Sequence, residues 1–198
     1  MPVEFQNLQA QKQALVNLAA AAVKPTRMQI RPLIPDDFPT VLAIYQLGLD
    51  TGVASFESHA PQAEKWDSKF MKTGRLALEV DGIVQGWTAL TKVSERAVYR
   101  GVAELTIYLH PNAQGKGWGF QLMQELIRVS EAAGIWTLTA AIFPQNSASI
   151  ALHEKAGFRK IGIREKVAYR DGIWHDNLLM EKRSKTVGLD RPAPTSPR

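Results

Sequence analysis

Six residues, Gln114-Gly115-Lys116-Gly117-Trp118-Gly119, stand between an alternating apolar run at 102–109 (VAELTIYL) and a helical pattern that starts at Gly117. No other feature constrains the chain as tightly. Glycines at alternate positions let the backbone turn sharply and approach a ligand with no Cβ in the way. The first amides of the following helix have no partner within it, and the helix dipole favours an anion there. Phosphate or pyrophosphate is the natural occupant; a glycine-rich turn without a ligand is the alternative. The segment departs from both familiar nucleotide loops. Gly117 follows Lys116 where the phosphate loop needs Ser or Thr, and the glycines are spaced Gly-x-Gly-x-Gly instead of Gly-x-Gly-x-x-Gly.

Strand and helix patterns alternate on either side. A strand is expected at 28–33 (MQIRPL), then a helix opening at Asp36-Asp37-Phe38-Pro39 that carries Val41, Leu42, Ile44, Tyr45, Leu47 and Leu49 at helical spacing. A loop at 50–61 precedes a second helix with Trp66, Phe70 and Met71. Strands at 76–80 and 83–90 flank Asp81-Gly82, a two-residue hairpin signal, and the last two strands flank Asp171-Gly172. The helix at 117–133 places Trp118, Leu122, Met123, Leu126 and Ile127 on one face and stops at Gly134. A buried strand at 135–143 leads to a helix at 146–156, capped by Asn146 and ended by Gly157. The order β-α-α-β-β-β-α-β-α-β-β describes a mixed α/β (α+β) domain over residues 28–183. Residues 1–27 form an extension, helical at 4–23 and broken by Lys24-Pro25-Thr26. Residues 184–198, with Pro192, Pro194 and Pro197, are expected to be a disordered tail.

Composition narrows the chemistry. The chain has no cysteine, which excludes disulfides, a zinc-thiolate site and a cysteine nucleophile together. Apolar residues at 45% and charged residues at 22% suit a folded domain. No apolar run has the length of a membrane span, and no secretory signal is read, so a cytoplasmic setting without membrane contact is expected. A net charge of +5 favours an anionic ligand. The basic residues are dispersed, which argues against nucleic acid, and no His, Asp and Glu spacing suggests a metal.

Four motifs in order carry a resemblance: Ala103-Glu104-Leu105-Thr106-Ile107-Tyr108-Leu109; the glycine segment; Asn146-x-x-Ser149-Ile150-Ala151-Leu152-His153 with Gly157-Phe158; and Gly172-Ile173-Trp174-His175-Asp176. Over residues 28–182 the chain resembles the GNAT family of acetyl-CoA-dependent N-acetyltransferases, and within it the phosphinothricin and methionine sulfone acetyltransferase branch. The resemblance implies the GNAT fold, a twisted mixed sheet of about six to seven strands flanked by about four helices. It implies acetyl-CoA as co-substrate, a small amine as partner, no metal, and a homodimer.

It also implies roles. The coenzyme pyrophosphate would rest on the amides of Gly115, Lys116, Gly117, Trp118, Gly119 and Phe120, with Gln114 and Ser149 beside them. The pantetheine arm would pair with the backbone of Ile107, Tyr108 and Leu109 and bond to Asn146, whose plainer role is a helix cap. Glu104 matches the general base and His153 an acid or second base. Read without the family, Glu104 is a strand carboxylate facing solvent and His153 an ordinary helix histidine. His59, His110 and His175 receive no catalytic role. The acceptor would meet Phe56, Arg96 and Tyr99, with Leu105 and Thr106, although Val93 and Ser94 stand where relatives carry an aromatic and a cation. The expected reaction is direct acetyl transfer to the α-amine of a small amino acid or analogue. A polyamine or protein N-acetyltransferase, or a degenerate CoA-binding regulatory module, are the alternatives.

Overall fold

The structure, a computed structural model, describes residues 26–189. The first half comprises β1 (Met28–Pro32), α1 (Phe38–Leu49), α2 (Ala63–Lys69), β2 (Leu76–Val80), β3 (Ile83–Lys92) and β4 (Val102–Leu109). The second comprises α3 (Trp118–Ala132), β5 (Thr137–Ile142), α4 (Ser147–Lys155), β6 (Arg159–Arg170) and β7 (Ile173–Arg183). Among the described residues the strands form one seven-stranded sheet in the order β1-β2-β3-β4-β5-β7-β6. Every neighbouring pair is antiparallel except β4 and β5. Both Asp-Gly turns join their strands as the sequence predicts. The helix expected at 4–23 lies outside the described residues. At the other end, the boundary set at Ser184 falls inside a bonded turn. Ser184 N donates to Trp136 O at 2.8 Å, and Ser184 Oγ accepts from the amides of Thr186 and Val187.

Strand alternation sends one set of side chains to each face of the sheet, and helices cover both. On one face α1 and α2 bring Val41, Ile44, Tyr45 and Trp66 onto Trp87, Ala77 and Ala89. On the other, Leu122, Met123 and Leu126 of α3 pack against Leu78, Leu90, Leu105, Leu138 and Met180. The bulged β6 strand forms one edge of the sheet.

The parallel β4–β5 ladder is short. It pairs Val102 with Thr137, Ala103 with Leu138 and Glu104 with Thr139, then ends, while β4 runs on to Leu109 and β5 to Ile142. The two strands are pinned at their start and free beyond Glu104. The pin is Gly101, whose carbonyl accepts from Trp136 N at 2.8 Å and Thr137 N at 3.0 Å. A Cβ at Gly101 would collide with the Trp136 ring, so only glycine lets the chains approach so closely there. The result is a V-shaped opening in the middle of the sheet.

Candidate active site

Beyond Glu104 the β5-facing edge of β4 has no strand partner among the described residues. Its amides and carbonyls from Leu105 to Leu109 can therefore pair with an extended ligand. A cavity of about 930 Å³ fills the opening and is lined by these residues, by the glycine segment and by α4. The loop after α1 roofs it. Arg170 donates through Nη1 to Ser55 O at 2.6 Å and through Nη2 to Gly52 O at 2.8 Å, and Asn146 Nδ2 donates to Val53 O at 3.2 Å. The loop is thus tied to the start of α4, just past β5, and to the end of β6.

The glycine segment forms one end of the cavity. Gly117 is the residue before α3, with φ 78°. Among the described residues, the amides of Gly115, Lys116, Gly117, Trp118 and Gly119 donate to no backbone carbonyl, whereas Phe120 N donates to Gly117 O at 3.2 Å. The anion site expected from the sequence therefore has open amides from Gly115 to Gly119. Lys116 and Trp118 have open amides but are not among the residues that line the cavity. Their side chains are off the cavity wall, with Lys116 Nζ 4.7 Å from the Trp118 ring centre. Gln114 lines the cavity and donates weakly to Leu109 O at 3.4 Å.

Glu104 sits where the strands part. Glu104 lines the cavity and is still exposed to solvent, with the nearby walls displacing only part of its water shell. That desolvation raises its pKa above the usual carboxylate range, against the opposing charges of Lys69 and Arg164. Thr106 and Tyr108 follow on the same face, with Tyr108 stacked 5.1 Å from Trp87. Burial pushes the Tyr108 hydroxyl up, so it stays protonated.

Asn146 takes the cap role: its Oδ1 accepts from Ser149 N at 3.1 Å at the start of α4. Its Nδ2 is shared with the roof loop, so one residue serves the helix and the cavity wall. His153, one turn after Ser149, is 2% exposed and lines the cavity. Its Nδ1 lies 2.7 Å from Ser149 O, an acceptor only, so the ring is assigned as Nδ1–H and Nε2 carries the free lone pair. Nε2 is buried with no hydrogen-bond partner among the described residues. Desolvation lowers the His153 pKa and keeps the ring neutral. This state suits a proton acceptor better than an acid.

Phe56 lies in the roof, with its ring centre 4.6 Å from that of Phe143. Leu105, Thr106, Ile107 and Leu109 line the cavity as expected. Arg96 and Tyr99 do not. They sit on the exposed turn between β3 and β4, stacked on each other at 5.6 Å. The cations on the wall are Lys69, Lys155 and Arg164, and Asn177 joins them. Sequence reasoning missed Lys69, Lys155, Arg164, Asn177 and Arg170. For the last three the only local signal is the alternation along β6 and β7, which does not say that those faces meet the β4–β5 opening.

Comparison with known proteins agrees with this geometry. A family model described as the acetyltransferase (GNAT) family matches residues 41–158. The chain is 32% identical over 159 residues to the phosphinothricin N-acetyltransferase of Alcaligenes faecalis, covering 77% of this chain and 81% of that one. It is 30% identical to the L-methionine sulfoximine/L-methionine sulfone acetyltransferase of Pseudomonas paraeruginosa, over 73% of this chain and 88% of the relative. Among solved structures it resembles a phosphinothricin acetyltransferase from Sinorhizobium meliloti in complex with acetyl-CoA. The TM-score is 0.75 and the identity 27%, with 84% of this chain and 94% of that chain covered.

Proposed function

The chain belongs to the GNAT acetyltransferase family, and on that premise we propose that it moves acetyl from acetyl-CoA directly to the α-amine of a small amino acid or analogue, of the phosphinothricin, methionine sulfone or methionine sulfoximine kind, with Glu104 as general base. One observation carries this reading. The parting of β4 and β5 places an ionisable carboxylate at the foot of a cleft whose other end is a ring of open amides. Those amides suit a pyrophosphate, and the free edge of β4 suits the amides of a pantetheine arm. The amine attacks the thioester carbonyl, the C–N bond forms as the C–S bond breaks, and CoA leaves as a thiolate that takes up the second proton released by the amine. Glu104 takes a proton from the acceptor ammonium, and its raised pKa brings it closer to the amine it must deprotonate. His153 Nε2, neutral and unpaired, serves as a second acceptor. No helix among the described residues is long and apolar enough to cross a membrane. Among them, no group of His, Asp and Glu could hold a metal ion. A homodimer belongs to the same proposal and is tested by sedimentation.

Thiol release from acetyl-CoA, measured with L-phosphinothricin, L-methionine sulfone, L-methionine sulfoximine, spermidine and a short peptide, tests the assignment. Turnover with the amino acids is expected. Turnover with only spermidine or the peptide would replace the acceptor class, and silence with coenzyme still bound would favour a regulatory module.

Gly117→Val tests the coenzyme end. No atom lies within 4 Å of a Cβ built there, so the fold accommodates the side chain, but φ of 78° strains a β-branched residue. Disturbing the amides is expected to raise KM for acetyl-CoA by about tenfold or more, the loss of one charge-assisted hydrogen bond. Acceptor KM should change little. An unchanged acetyl-CoA KM would move the pyrophosphate elsewhere.

A further inference from the structure

Asn177 is 9% exposed, lines the cavity, and its Oδ1 is buried with no hydrogen-bond partner among the described residues. Buried polar atoms are nearly always paired, so an orphan on a cavity-lining residue marks the place of a ligand donor. Its neighbours Leu178 and Met180 belong to the core under α3 and α4. Alternation along β7 therefore turns Asn177 to the other face, beneath the roof loop and alongside Phe143. Arg164 stands directly opposite Asn177 on β6, on the same face, and also lines the cavity. It makes no ion pair among the described residues. Past Arg164 the β6–β7 ladder breaks until Ala168, and this bulge brings Val167 and Ala168 onto the cavity wall as well. Between Glu104 and this pair the wall is Ala141 and Phe143, with Phe56 against Phe143. Carboxylate, apolar stretch and polar pair follow one another as the amine, methylenes and terminal group of an extended amino acid would.

We propose that Asn177 and Arg164 form the subsite for the far end of the acceptor, and that it prefers a group presenting both an N–H and an oxygen, a sulfoximine or a carboxamide, over one presenting oxygens alone. The guanidinium takes the oxygen and Asn177 Oδ1 takes the N–H. The assignment rests on Glu104 receiving the amine. L-methionine sulfoximine and L-methionine sulfone differ in the one N–H that matters. A sulfone leaves Oδ1 unpaired in the complex, so kcat/KM is expected to favour the sulfoximine by about tenfold or more.

The two acceptors are compared by thiol release from acetyl-CoA with the wild type, Asn177→Leu and Arg164→Leu. Asn177→Leu, close in volume and without the acceptor oxygen, should bring the ratio near one and leave KM for acetyl-CoA unchanged. Arg164→Leu, at an exposed strand position, should lower kcat/KM for both acceptors and preserve the ratio, because both offer an oxygen. A wild-type ratio near one, or a rise in acetyl-CoA KM in Asn177→Leu, would overturn the subsite while leaving the acetyltransferase reading intact. Thiol release with neither acceptor, from protein that binds CoA, would overturn both.

Discussion

Glu104→Gln is expected to lower kcat by about two to four orders of magnitude, the usual share of a positioned general base. Binding of acetyl-CoA, measured by calorimetry, should be unchanged, because the coenzyme contacts proposed here are backbone amides. Full turnover in the variant would remove Glu104 from the chemistry. The pH profile gives a second check. Desolvation holds the Glu104 pKa above the usual carboxylate range, so the acidic limb of kcat/KM should lie above that range in the wild type and vanish in the variant. Stability should respond in the opposite sense to activity. A carboxyl whose pKa is raised by folding favours the native state most below its unfolded pKa. That contribution is lost as pH rises through the folded value. At neutral pH the ionised Glu104 is therefore slightly unfavourable to the fold, an effect that solvent screens because the residue is exposed, and Glu104→Gln should melt only slightly above the wild type, with the difference disappearing in acid.

The largest loss of stability is expected from Trp87→Ala. Trp87 is fully buried on β3, stacked on Tyr108 and edge-on to Tyr45, Trp66 and Phe70. Its removal should cost about 3–5 kcal/mol by urea unfolding, as large aromatic truncations in a core do. Domains of this kind have roughly 5–15 kcal/mol in total, so the variant would be left with a marginal fold. Trp87→Phe should cost much less, because the Trp87 Nε1 that it deletes has no hydrogen-bond partner among the described residues. Equal losses for the two would mean that a polar contact, not ring packing, holds this side of the sheet. The effect also reaches the cleft. Tyr108 lies on the cavity wall and rests on the Trp87 ring, so the surviving fraction of Trp87→Ala should show a raised KM for acetyl-CoA.

The sequence by itself determined the elements, the turns and the ends of the helices, because each depends on residues a few positions apart. Asp81-Gly82 and Asp171-Gly172 close hairpins through local backbone preference. Asn146 caps its helix through an amide three residues on, and the glycines at 115 and 117 adopt positive φ in their own loop. The motif order is also legible in the sequence, and it singles out Glu104, His153 and the glycine segment.

Tertiary structure alone decided which side chains share the cleft. Arg96 and Tyr99 are close to β4 in sequence yet lie off the cavity wall, whereas Arg164 and Asn177 come from strands added last to the sheet. Their presence on the wall follows from the strand order β4-β5-β7-β6 and from a bulge that lets β6 curl over the cavity. The state of His153 was equally hidden, since its tautomer depends on a carbonyl and its charge on burial. Local chemistry writes the elements. Burial and the parting of two strands turn them into a site.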